Sequence, residues 1–421
     1  MKGKTITSTV FLTLLLVILF SFGISLGAVD SLGSSGSFAV QSTIDWWPMF
    51  QHDLSHTGFS SSTAPDTNHT IWISRPGGSF DWSSAAVVDG AVYIGDNDGW
   101  VYNLNSTTGA MKWKSMITGI VESSPAVAEG VVYVGSLSSR LFALNASTGE
   151  QIWNYTTGDN VHPSPAVAYG KVYVGSWDSR VYALNASTGE QVWNYTTGSI
   201  VLSSPAVVDG MVFIGSGDDN VYALNASTGQ RVWNYTTGDP VHSSPSVVEG
   251  KVYVGSLDGK VYALNATDGQ LIWSQEIGPV GLSSPAFAEG TVYIGSNDHN
   301  VYALNASTGT PIWNYTTGNY VSSAPAVAGG MVFVGSYDYN VYGLNASTGI
   351  KIWSYKTDYE VSSSPVVVNG TIFIGSGDGN FYSFGPEPVI PEFPSILILP
   401  LFIAATLLTA IVYRRKWRKL R

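Results

Sequence analysis

The chain has 421 residues, of which 12% are charged and 13% aromatic, and it contains no cysteine. The lack of cysteine excludes a disulfide framework, a thiolate metal site and a cysteine nucleophile. Two of the 19 basic residues are Lys2 and Lys4 and six more fall within 414–421, whereas all 30 acidic residues lie between these ends. So acidic a body repels nucleic-acid phosphates, and nucleic acid is not expected as a partner.

Residues 1–28 have a basic start, an apolar run from Val10 to Phe22 and a small-residue end at Ala28. This is the layout of a secretory signal peptide. Residues 29–69 read as linker and lead-in, with Ser31–Val40 rich in Ser and Gly.

From there the sequence repeats every forty residues without insertion or deletion. Glycine recurs at Gly95, Gly135, Gly175, Gly215, Gly255, Gly295, Gly335 and Gly375, and tryptophan at Trp113, Trp153, Trp193, Trp233, Trp273, Trp313 and Trp353. In the third unit four segments have strand composition: Ser164–Ala168, Lys171–Ser176, Val181–Asn185 and Gln191–Thr196. Both faces of the middle strands are apolar, so each sheet must lie between two others. Four-stranded units of this period, stacked side by side, are the blades of a β-propeller. A proline recurs in the first strand (Pro125, Pro165, Pro205 and on to Pro365), which suits the unpaired inner edge of a blade. The last unit stops before its tryptophan strand, and an orphan segment, Thr70–Ser74, carries Trp72 upstream of the first unit. Closure of 70–74 onto the last unit gives an all-β, eight-bladed ring over 70–384 with no unpaired terminal blade.

After the ring, 385–394 is a Pro-rich spacer, Ser395–Tyr413 is an uncharged stretch long enough to span a bilayer, and 414–421 is a basic tail. The positive charge orients the tail inward, which puts the propeller on the cell surface, outside a single-pass membrane anchor. The Pro-Glu-Phe-Pro run at 391–394, apolar helix and basic tail together resemble the sorting signals of archaeal surface proteins, which implies proteolytic processing near that motif.

The unit Gly-Ser-x-Asp-x-x-Val-Tyr-Ala-Leu-Asn-Ala-Ser-Thr-Gly followed by Trp resembles the pyrroloquinoline-quinone-type (PQQ-like) propeller repeat. Trp47-Pro-Met-Phe-Gln-His-Asp-Leu-Ser-His-Thr-Gly58 resembles the lead-in common in such proteins. The resemblance implies the fold; function has to come from a site. In the family's quinoprotein dehydrogenases it implies a quinone held between a Trp and a vicinal disulfide, a ligated Ca²⁺ and a catalytic Asp. This chain has no Cys and no blade with a large inserted loop. It is therefore expected to have no catalytic residue, no quinone or other cofactor, and no metal.

Asp98, Asp178, Asp218, Asp258, Asp298, Asp338 and Asp378 recur after the Gly-Ser, with Ser138 the exception. They read as supports for turn amides rather than a cation ring. His162 and His242 share one column without a third ligand and read as surface histidines. Thirteen Asn-x-Ser/Thr sequons mark candidate N-glycosylation of a secreted body. Seven lie in the turn after the third strand: Asn105, Asn145, Asn185, Asn225, Asn265, Asn305 and Asn345. Four lie beside the Trp, at Asn154, Asn194, Asn234 and Asn314, and two are Asn68 and Asn369.

The turn sequons emerge on one side of the ring, so a ligand face is expected on the other, where the copies differ most. Its candidates are Trp82, Glu122, His162 and His242 in one column, with Trp100, Trp177, His299, Tyr337 and Tyr339 from neighbouring turns. The expected function is non-catalytic binding of a protein or glycan partner through this face. An envelope scaffold or coat is the structural alternative, and a quinone-dependent dehydrogenase the enzymatic one.

Overall fold

Val, Ile, Tyr and Ala fill the second and third strands of every unit, and their side chains alternate onto two apolar faces. In the computed structural model, which describes residues 44–387, 406–411 and 413–414, these strands form eight antiparallel blades. Blade 3 comprises Ala166–Ala168, Lys171–Ser176, Arg180–Asn185 and Gln191–Thr196, in that order from axis to rim. One face, with Tyr173, Val181, Ala183 and Trp193, packs on Val212, Ile214 and Tyr222 of blade 4. The other, with Val172, Val174, Tyr182 and Leu184, packs on Tyr133, Leu141 and Trp153 of blade 2. A one-residue slip in register would exchange the two faces and mismatch both neighbours.

The ring closes as the repeat count requires. Thr70–Ser74 pairs antiparallel with Phe381–Phe384 and supplies the outer strand of blade 8.

The tryptophan explains how blades hold together at the rim. Trp153 Nε1–H donates to the carbonyl of Ala186 in the next blade, at 3.0 Å. Its ring lies where a Cβ on Gly189 would sit, 2.7 Å from that position, and Gly189 has φ +74°. Only glycine satisfies both conditions. Six further seams repeat the bond, from Trp72 to Ser106 round to Trp313 and Ala346. At the eighth, no turn follows the third strand of blade 8, and Trp353 Nε1–H donates instead to Pro65 in the N-terminal segment.

That segment is the main addition to the sequence reading. The lead-in is built into the ring and runs along the inner edges of the blades. Trp47 exchanges both backbone bonds with Val87. The carbonyls of Pro48, Leu54, Ser55, Thr57 and Gly58 then accept the N–H groups of Val127, Val207, Val247, Phe287 and Val327, all at 2.7–2.8 Å. Phe59–Ser60 finally joins blade 7 as a fifth, parallel strand beside Ala326–Ala328. Pro125 lies two residues before Val127, so its nitrogen points to the same free side, where no ladder bond is lost.

Just outside this contact a serine ring ties blade to blade. Ser84 N–H donates to Ser124 Oγ, Ser124 to Ser164, Ser164 to Ser204, Ser204 to Ser244 and Ser244 to Ser284. After Ala324, which has no hydroxyl to accept from Ser284, the chain of bonds resumes through Ser364 and returns to Ser84.

The signal peptide (1–28), the linker at 31–40, the spacer from residue 388 and the tail from residue 415 lie outside the described residues. So does most of the expected spanning helix at 395–413. Residues 406–411 are helical, and among the described residues no helix is long and apolar enough to cross a membrane.

Candidate functional site at the propeller axis

The variable column enters each blade just before its innermost strand, so eight side chains of five kinds converge on the axis. Trp82, Glu122, His162, Leu202, His242, Leu282, Ser322 and Ser362 line one funnel, with Phe50 of the N-terminal segment beneath them. The funnel is narrow, with a cavity volume of about 40 Å³.

Trp82 is held in the left-handed region, φ 67°, with its N–H donated to Ser362 Oγ across the junction between the two ends of the ring. A non-glycine residue there costs roughly 1–2 kcal/mol and is often tied to function. This conformation carries the indole into contact with residues of two distant blades, His162 at 6.4 Å and Tyr337 at 5.9 Å between ring centroids. His162 stacks on Trp177, with centroids 6.3 Å apart and an interplanar angle of 23°. The indole N–H of Trp177 is buried and has no acceptor among the described residues.

The expectation that His162 and His242 are surface residues is corrected. Both lie at the axis, where their blades converge, and His162 is almost wholly buried. Burial, then the nearby charge of His242, lowers the His162 pKa to about 4; burial also lowers that of His242. His162 Nε2 is 3.4 Å from Glu122 Oε2. Glu122 and Glu360 are both raised above the ordinary carboxylate range, first by burial and then by the charge of Asp81. Tyr337 is raised by burial and then by Glu360. Aromatic faces, a neutral histidine and mutually repelling carboxylates thus share one mouth, and no Lys or Arg lines it.

The remaining candidates sit elsewhere. Trp100 turns away from the funnel and carries Lys114 Nζ over its ring at 4.2 Å. His299 packs on Tyr320, which links it to Tyr337, and Tyr339 stacks on Tyr359 at the rim. His299 and Tyr339 adopt φ 78° and 72° at a turn position that glycine fills in blades 1, 5 and 8. Phe50, Asp81, Tyr320 and Glu360 complete the mouth and were not among the expected site residues. Phe50 belongs to a segment whose partners lie up to several blades away, so no local pattern marks it.

Six of the repeated aspartates behave as turn supports, and in blade 1 Asp96 takes that role from Asp98, accepting the N–H of Gly78 and the hydroxyl of Tyr102. Asp218 Oδ2 accepts the hydroxyl of Tyr222 at 2.7 Å, and its Oδ1 accepts the N–H of Asn220. Asp258 accepts the N–H of Gly238 at 2.8 Å. The exception fits: blade 2, which has Ser138 in place of Asp, also has Phe142 in place of the tyrosine. No group of three or more His, Cys, Asp or Glu among the described residues is arranged to hold a metal ion.

Eight four-stranded blades, tryptophan-sealed seams and a variable axial mouth define a β-propeller of the quinoprotein type. The family model described as outer membrane protein assembly factor BamB matches residues 61–165, 157–284 and 258–387, well over half of the chain, and the protein belongs to that family. None of the curated proteins matches the sequence. Among solved structures, BamB from Moraxella catarrhalis is 22% identical with a TM-score of 0.67, covering 75% of this chain and 99% of that one. Quinohemoprotein alcohol dehydrogenase from Comamonas testosteroni is 18% identical with a TM-score of 0.72, covering 83% and 82%. A europium-containing methanol dehydrogenase is 16% identical with a TM-score of 0.69, covering 81% and 98%. At these identities the likeness is one of fold.

Proposed function

We propose that this protein is a non-catalytic binding module, displayed outside the cell on a C-terminal membrane anchor, that takes a protein or glycan partner at its axial mouth. The observation that carries the reading is the contact of Trp82 with both His162 and Tyr337. Aromatic rings around a small cavity are the composition of interface hot spots. The match to the BamB model supports a protein partner in particular.

A quinone bearing several carboxylates does not fit these residues. Glu122 lines the funnel, Glu360 and Asp81 bear on its mouth, and no basic side chain lines it. Such a ligand would bring buried like charges together without a counter-ion.

A glycan array and a pull-down from envelope extract, run with Trp177→Ala and Tyr337→Ala beside the parent chain, test the reading. Each substitution is expected to weaken binding about tenfold or more. Retention of a partner at full strength by both variants overturns the assignment of the face.

A further inference from the structure

The outer strand of each blade is an open edge, and the eight edges are protected in two different ways. In blade 2 the strand Gln151–Thr156 has Ile152, Asn154 and Thr156 exposed on one face, while Trp153 and Tyr155 turn inward. The two-residue period of a strand therefore sets a sequon's asparagine and its hydroxyl residue side by side in solvent, next to an exposed aliphatic side chain. Blades 3, 4 and 6 repeat this with Asn194, Asn234 and Asn314 beside Val192, Val232 and Ile312. These four aliphatic residues are 46–52% exposed.

From the tryptophan to the strand end, none of these four edges carries a charge; Arg231, at the start of the blade 4 strand, is the one charge on any of them. The sequon-free edges all carry one on the same exposed stretch or next to it. Blade 5 has Glu276 and blade 7 has Lys356, each three residues after its tryptophan, blade 1 has Lys114 directly after its own, and blade 8 has Arg75 one residue beyond the strand end. Charge on an exposed edge prevents pairing with another edge. The sequon stands where that charge is missing.

The turn sequons differ. In each of the seven turns the asparagine Oδ1 accepts backbone N–H groups two and three residues on, as Asn145 does from Ser147 and Thr148 at 2.9 and 3.0 Å. Folding alone accounts for those asparagines. At the edges, Asn154 and Asn194 have no such structural use. Asn234 donates Nδ2–H to Asn220 Oδ1 at 2.9 Å and Asn314 to Asn300 at 3.3 Å, bonds that a substituted amide keeps through its second N–H.

We infer that Asn154, Asn194, Asn234 and Asn314 are the glycosylated sequons, and that their sugars cap the four blade edges that carry no charge after the tryptophan. The inference rests on the extracytoplasmic placement proposed above. The reaction needs a lipid-phosphate-linked sugar donor and its transferase. Nδ2 forms a bond to the sugar's anomeric carbon and loses one proton, while the bond from that carbon to the phosphate oxygen breaks and the phosphate leaves on its lipid.

Mass spectrometry of peptides from the full chain, purified from the cells that make it, reads occupancy at each sequon. Occupancy at the four edge asparagines is expected to exceed that of the seven turn asparagines several-fold. Occupied turns with bare edges overturn the assignment. If no sequon is modified, protease added to intact cells separates the causes: digestion leaves the placement standing and sinks the sugar proposal alone, whereas protection sinks both. A chain with Thr156→Ala, Thr196→Ala, Thr236→Ala and Thr316→Ala should lose the sugars and self-associate severalfold more by light scattering. The same four positions changed to Lys should lose the sugars yet stay monodisperse. Equal monodispersity of the alanine and parent chains overturns the capping role.

Discussion

At the rim the blades repeat one contact almost unchanged; at the axis the same eight blades present five kinds of side chain. Seven rim seams pack a tryptophan over a glycine turn and close one indole hydrogen bond, and the eighth, which has no such turn, reproduces the bond with Pro65 as acceptor. Each axial position faces the mouth rather than a neighbouring sheet, and Trp, Glu, His, Leu and Ser all occur there. Packing dictates the residue where two sheets must interlock, and leaves it free where eight strands converge on an opening.

The contrast is broken most severely at a seam. Trp193→Ala should cost about 4 kcal/mol, since it removes a buried indole and one of the two donors to the Ala226 carbonyl, the Tyr173 hydroxyl at 3.0 Å being the other. Leu202→Ala, at the half-buried axial position just downstream, should cost about 1 kcal/mol or less. Chemical denaturation at pH 7 compares the two, and equal losses would show that the rim and axis do not differ.

The second test concerns the segment beneath the mouth. His56 is fully buried, donates from Nδ1 to the Pro245 carbonyl at 3.0 Å, and has its pKa lowered by burial to about 4. The unfolded chain takes up this proton near pH 6.5 and the folded one only near 4, so stability held above 6.5 is lost as pH falls toward 4. The full loss is about 3 kcal/mol, and His56→Gln should flatten that part of the profile. His162 contributes with the same sign over the same window. A parent profile as flat as the variant's would remove His56 from the account.

The mildest test repairs a gap. Ala324→Ser offers Ser284 the missing hydroxyl acceptor in the serine ring and should add about 0.5–1 kcal/mol to the unfolding free energy.

The rim was legible in the sequence because its physics repeats. The alternation of Val, Tyr, Ala and Leu set the strand faces, and the count of eight glycines against seven tryptophans located Trp72. Strand limits in the third unit differ by only one or two residues, the first strand beginning at Ala166 rather than Ser164. The axis was legible only as a column of disagreement. That Trp82 reaches His162 and Tyr337 depends on one left-handed residue and on ring closure, and neither leaves a periodic mark. The path of residues 47–60 was hidden for a related reason. It contributes mainly backbone carbonyls, which every residue has, to partners in six different blades far along the chain.

The strand Thr70–Ser74 is made early and completes a sheet whose other three strands end at Phe384. Until the last unit has left the ribosome, Trp72 has no blade to belong to, whereas Gly58 and Pro65 wait only for blade 7, whose Val327 and Trp353 they bind. Closing so long a loop is entropically costly and slow, and local pairing within each blade comes first. The ring can therefore close only once the strands of the last unit, Val366 to Phe384, have been made. A product that stops before residue 366 presents an unpaired apolar strand and an open inner edge, features that distinguish it from a finished ring for any protease that clears unfinished chains.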